Sequence, residues 1–138
     1  MTVIANDTQR LGNWLKHAYE PGIGYVFETV TVNEAAEKSY VTGAVLGKVT
    51  VGGKYKLAVQ TAGDGSEVAA GIYVGDVLGN DSQTVAATTD TKVLILKRGP
   101  AIVSKDALIL DATYNLDAEK QAIYDALAAL GILVNPTI

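Results

Sequence analysis

Cysteine is absent from this 138-residue chain, histidine occurs once, at His17, and tryptophan, phenylalanine and methionine occur once each. Without thiols there is no disulfide framework, no thiolate metal site and no cysteine nucleophile. With a single imidazole, metal triads and HExxH sites are excluded, and a Ser-His-Asp arrangement would hang on that one ring. Excess positive charge is also missing: eleven Lys plus Arg stand against fifteen Asp plus Glu, a net charge of -4, which opposes broad contact with phosphate backbones. Long apolar runs are lacking too. The longest, Ala126 to Val134, has nine residues, against the roughly 18 to 20 needed to cross a bilayer. The first twenty residues mix Asn6, Asp7, Arg10, Lys16 and His17 among apolar positions and form no secretory h-region. Neither nucleic acid nor membrane is therefore expected as a partner, and the triplets starting at Asn6 and Asn80 read as polar loop sequence rather than glycosylation sites.

What the chain does have is apolar material in short blocks. Hydrophobic residues make up 49% and charged residues 19%, which suits one globular core rather than a disordered chain. The middle is a series of β-branched or aromatic runs separated by glycine-rich punctuation, the pattern of a mainly β domain. Strands are predicted over Tyr25 to Val32, Tyr40 to Leu46, Tyr55 to Gln60, Val68 to Val74, Thr84 to Ala87 and Lys92 to Lys97, with another inside Ala101 to Leu110. Gly52-Gly53 and Asp64-Gly65 are predicted turns, because tight connections require positive φ. Pro100 lacks a backbone donor and belongs at a strand start or sheet edge.

One helix is expected, from about Leu116 to Leu130, with Asn115 or Asp117 as N-cap and Gly131 as the C′ stop. Ile123, Leu127 and Leu130 recur at i, i+4 and i+7 and form an apolar stripe, flanked by Ala122, Ala126 and Ala129, that should be buried. Residues 1–24 differ from the rest. They lack periodic patterning yet hold Trp14, Leu15, Tyr19 and Ile23, the composition of an arm that orders against a partner. The predicted organisation is thus an arm over 1–24 and a domain over 25–138.

Motifs for chemistry fail on inspection. Gly43-Ala44-Val45-Leu46-Gly47-Lys48 has three residues between its glycines where a phosphate loop needs four, and Val49 stands where a hydroxyl is required. Gly22-Ile23-Gly24-Tyr25-Val26-Phe27 places Phe27 where a dinucleotide fingerprint needs a small residue. Asp76, Asp81 and Asp90 lack the ligand spacing of a calcium loop. Lys97-Arg98 reads as a solvated strand end.

The order of segments is more informative than any one of them. Val45-Leu46-Gly47-Lys48-Val49, Gly53-Lys54-Tyr55 and the run from Asp64 through Ser66 and Ala69 to Ile72 come first. Lys92 to Leu96, then Lys97-Arg98-Gly99-Pro100-Ala101, Ala107-Leu108 and Ala126 to Ile132 follow. In this order they resemble the head decoration proteins of tailed bacteriophages, the lambda-type family, over about Tyr25 to Val134. Residues 1–24 match no pattern of that family.

The resemblance implies a mainly β fold of β-clip type with a small helical element. It implies a homotrimer at the three-fold positions of an expanded icosahedral head, bound to the major capsid protein on the outer surface of the virion. It also implies no enzymatic activity, cofactor, metal or small-molecule substrate. An N-terminal arm that adds a strand to the shell is a further implication. The expected capsid contacts are Trp14, Tyr19 and the strand Tyr25, Val26, Phe27, Glu28, Thr29, Val30 and Thr31, since an alternating strand after a loose segment suits edge pairing. On that reading, removing residues 1–24 leaves a folded trimer that cannot decorate. The expected trimer interface is Val68, Ala70, Ile72 and Val74 with Ala122, Ala126 and Ala129. The competing readings are a small-ligand-binding β-barrel module, which needs a cavity with convergent polar groups, and another phage structural protein of tail or head fibre.

Overall fold

Val, Ile, Tyr and Thr cluster in runs of three to eight residues that fit a pleated, half-buried surface, and these runs become the strands. A computed structural model describes residues 14–18, 26–76 and 80–136. In chain order the strands are β1 (Leu15–Ala18), β2 (Phe27–Val32), β3 (Lys38–Val41), β4 (Val45–Lys48), β5 (Tyr55–Leu57), β6 (Ala69–Asp76), β7 (Ser82–Val85), β8 (Thr91–Leu96), β9 (Ala101–Ser104) and β10 (Ile132–Asn135). A 3-10 turn spans Lys105–Ala107, and helix α1 runs Asp117–Ala129.

Five strands close into a small barrel in the order β2-β5-β4-β6-β8. β3 and β7 form a two-stranded ribbon beside it, and β9 lies between β1 and β10 in a separate three-stranded sheet. Alternation along the barrel strands divides the apolar residues into two cores. Val30, Val32, Leu46, Tyr55, Tyr73, Val93 and Ile95 fill the barrel together with Tyr40, whose ring meets that of Tyr73 edge to face at 5.3 Å. Their neighbours Val45, Ile72 and Leu96 point outward and pack with Trp14, Val103, Ile123, Leu127 and Ile132, beneath the helix and the three-stranded sheet. Among the described residues the fold is mainly β with one C-terminal helix, as the sequence predicts.

Local differences from the sequence reading have physical reasons. The run from Tyr40 to Leu46 is two strands, because Gly43 takes φ 97° and turns the chain from the ribbon into the barrel. Helix α1 begins without a side-chain cap; its N-cap position is Leu116, which is 62% exposed, rather than Asn115 or Asp117. Gly131 ends the helix at φ 86°, and Gly52, Gly53 and Gly65 also have positive φ at the predicted turns. Pro100 directly precedes the first residue of β9, at a strand start.

The predicted arm is not uniform. Trp14 is fully buried, its indole N–H donates to Thr42 Oγ1 at 2.9 Å, and β1 pairs antiparallel with β9 from Leu15↔Val103 to Ala18↔Ala101. Residues 14–18 are therefore integral to the second core. The expectation that the whole of 1–24 can be removed from a folded domain is corrected on this point.

Candidate functional site

β2 carries most of the expected capsid contacts, and its local geometry decides which of them face outward. Register with β8 runs from Phe27↔Leu96 to Val32↔Thr91, so Val30 shares the barrel interior with Val93 and is buried, while Thr29 lies on the outer face and is exposed. Val26 is fully buried, and Phe27, Glu28 and Thr31 are half-buried. Trp14, Val26 and Val30 thus fill the chain's own cores, and within β2 Glu28, Thr29 and Thr31 offer the surface. Tyr19 and Tyr25 lie outside the described residues.

Charge concentrates along this strand. Lys97 Nζ is 3.1 Å from Glu28 Oε1, and Arg98 Nη2 is 3.2 Å from Glu28 Oε2, so Lys97-Arg98 grips β2 instead of ending a strand in solvent. These bonds, that to Lys97 foremost, hold the Glu28 carboxyl below its usual range against the opposing effect of burial. Lys54 sits 2.8 Å from Asp90, and Lys92 Nζ donates to Thr31 Oγ1 at 2.5 Å. Lys48 approaches the Tyr55 ring at 6.0 Å. Lys48, Lys54, Lys92 and Lys97, with Glu28 and Asp90, border a cleft of about 430 Å³ beside β2. Sequence reasoning missed this group, since lysines at 48, 54, 92 and 97 have no informative spacing and only barrel closure assembles them.

The expected trimer residues occupy adjoining elements, because α1 packs on β6 and β10. Val68 is 55% exposed, Ala122 and Ala129 are exposed, and Ala70, Val74 and Ala126 are half-buried. Ile72 is fully buried in the second core, so its side chain presents no surface to another copy. The helix stripe holds at Ile123 and Leu127, which are buried, while Leu130 is half-buried.

Buried polar groups serve the scaffold. Glu34, only 4% exposed, accepts hydrogen bonds from the Tyr40 hydroxyl and, at 2.8 Å, from the Leu57 N–H, which ties the ribbon to the barrel. Lys56 beside Asp64, with two bonds from Ser66, holds the Asp64 carboxyl far below the usual range. Burial drives the hydroxyls of Tyr40 and Tyr73 upward, and that of Tyr114 to about 12.

These shifts set a pH profile. Carboxyls lowered in the folded state contribute stability above their unfolded values near 4, and the contribution is lost as pH falls through the folded values. Tyrosines raised in the folded state contribute fully below about 10 and lose the contribution as pH rises through the folded values. Thermal melts followed by circular dichroism are expected to show a plateau between roughly pH 5 and 9 and a fall on either side. A melting temperature still rising above pH 10 would contradict the tyrosine assignment.

Among the described residues no group of three His, Asp or Glu side chains is placed to hold a metal ion, and Asp76 is engaged with Asn80 while Asp90 is engaged with Lys54. No described helix is long and apolar enough to cross a membrane. The barrel is filled by its own side chains, and its surface is distributed over a charged strand edge and a small-residue helix flank. The sequence profile of the family described as Bacteriophage lambda head decoration protein D matches residues 5–132, nearly the whole chain, and the chain belongs to that family; the match corrects the sequence reading, which found no family pattern before Tyr25. No curated protein sequence matches it. Membership assigns the chain a capsid decoration role, with the phage capsid as its partner and its location.

Proposed function

We propose that the chain decorates the expanded phage head as a homotrimer on the outer surface at three-fold positions, and stabilises the shell against the outward pressure of packaged DNA. The family match over residues 5–132 carries this reading, because it takes in the N-terminal segment as well as the barrel and helix. A trimer presents three copies of one underside to three neighbouring capsomer edges, and the second and third contacts form at high effective concentration. Binding restricted to the expanded lattice favours that lattice over its precursor by linkage. Residues 1–13 and the exposed part of β2 serve as shell contacts. Val68, Ala122 and Ala129, with Ala70, Val74 and Ala126 at their margins, serve the trimer. The net charge of -4 suits a place outside the shell, away from the genome.

The test mixes purified protein with expanded heads that lack it and with unexpanded precursors. Saturable co-sedimentation with the expanded heads alone, and a solution mass three times that of the chain, are expected. A monomer that ignores expanded heads refutes the reading.

A further inference from the structure

β2 is paired unequally on its two sides. Toward β8 all six residues are in register, whereas toward β5 the pairing is parallel and limited to Val32↔Tyr55. The Asn33 N–H reaches the Tyr55 carbonyl at 3.0 Å, and because backbone direction alternates along a strand, the N–H groups of Thr31 and Thr29 point along this same edge. Among the described residues no strand pairs with that edge over residues 28–31. β5 is only three residues long, so the barrel is pinned at one end of this seam and gapes at the other, leaving the cleft of about 430 Å³. Thr29 and Thr31 border one wall of it, and Lys48, Gly53 and Lys54 border the other.

The seam is electropositive in a chain that is acidic as a whole. Lys48, Lys54, Lys92 and Lys97 border it against two carboxylates, Glu28 and Asp90. Those two are engaged with Lys97 and Lys54, while neither Lys48 nor Lys92 has a carboxylate within ion-pair distance among the described residues. Lysines on a strand edge repel the same edge of another copy, which closes the seam to self-pairing and leaves it open to a segment of opposite charge. The chain's own start does not supply one, since residues 1–13 hold one acidic residue, Asp7, balanced by Arg10.

We propose that the seam between β2 and β5 is a strand-acceptor slot for an extended segment of the head shell bearing Asp or Glu, laid against β2 with its carboxylates toward Lys48, Lys54 and Lys92. The inference rests on the decoration reading and deepens it by naming the chemistry of the partner segment. Main-chain bonds to the edge supply attachment, and the lysines supply orientation and selectivity.

The experiment uses the full chain and expanded heads lacking it. The variants are Lys48→Glu with Lys92→Glu and, as a control of equal charge change away from the seam, Lys38→Glu with Lys105→Glu; all four lysines are exposed. The seam pair is expected to weaken head binding by about tenfold or more and the control pair by no more than about twofold, with both melting like the parent. Hydrogen exchange on decorated heads is expected to slow at the amides of Thr29 and Thr31 relative to free protein. Equal weakening by both pairs, or unchanged exchange at those amides, overturns the slot. Parent protein that fails to bind heads at all overturns the decoration reading, and the slot with it, before any variant is compared.

Discussion

A chain shortened to begin at Tyr25 is expected to lose its cooperative fold, and one shortened to begin at Trp14 to retain far more of its stability. The difference between the two is residues 14–24, which include a fully buried indole bonded to Thr42 and a strand that covers one edge of β9. Emptying a buried tryptophan site alone costs about 3–5 kcal/mol, a large part of the roughly 5–15 kcal/mol that holds a domain of this kind. Stripping β1 adds the unpaired backbone groups of β9, each of which must then find water. Urea titration followed by circular dichroism reads the comparison directly, and Trp14→Ala in the full chain should reproduce most of the loss. Coincident unfolding midpoints for the two shortened chains would mean that Trp14 and β1 do not hold the second core together. The consequence for function is practical: loss of head binding after removal of 1–24 reports unfolding, so the proposal that the N-terminal segment contacts the shell must be tested by removing residues 1–13.

The second large effect lies where the helix ends. Gly99 donates its N–H to the Leu130 carbonyl at 2.8 Å, and the Ala101 N–H reaches the Gly131 carbonyl at 3.3 Å, so the start of β9 is laced to the turn that launches β10. A Cβ added to Gly99 would stand 1.8 Å from the Gly131 carbonyl oxygen, a backbone atom that cannot rotate away. Gly99→Ala is therefore expected to cost about 3 kcal/mol or more by overpacking, through separation of β9 from β10. Gly52→Ala is the matched control. Gly52 has φ +89° but open space around its missing Cβ, so only the backbone conformation opposes alanine, at about 1–2 kcal/mol. A differential scanning comparison with Gly99→Ala no more destabilised than Gly52→Ala would show that the strand junction yields more easily than its contacts indicate.

The residues that signal their own structure in sequence are those whose reason is local. Alternating β-branched runs gave away β2, β6 and β8, positive-φ glycines marked Gly52-Gly53 and Gly65, and the i, i+4 spacing of Ile123 and Leu127 marked the buried side of α1. β1 escaped notice because Leu15–Ala18 is four residues long, includes Lys16 and His17, and becomes a strand only when β9 is beside it. β10 was hidden similarly, as Ile132–Asn135 reads as the tail of an apolar run until β9 supplies its parallel partner. The alternation of β2 and β6 shows that one side of each strand is buried but not against what. Ile72 and Val26 were thus expected at contacts with other chains and instead fill the second core. The lysine seam depends on four positions spread over fifty residues meeting at an incompletely zipped barrel, which no local pattern encodes.

The position of β9 has one further consequence. β1 runs opposite to it and β10 runs with it, so Leu15 and Val134 both stand level with Val103. The polypeptide that precedes Leu15 and the polypeptide that follows Asn135 accordingly depart from the same margin of the sheet, separated by two strand spacings, about 10 Å. Bulk or charge introduced at Pro136 is therefore presented at the same end of the sheet as Trp14, and not at the far end, where Ala18 and Ile132 both stand level with Ala101.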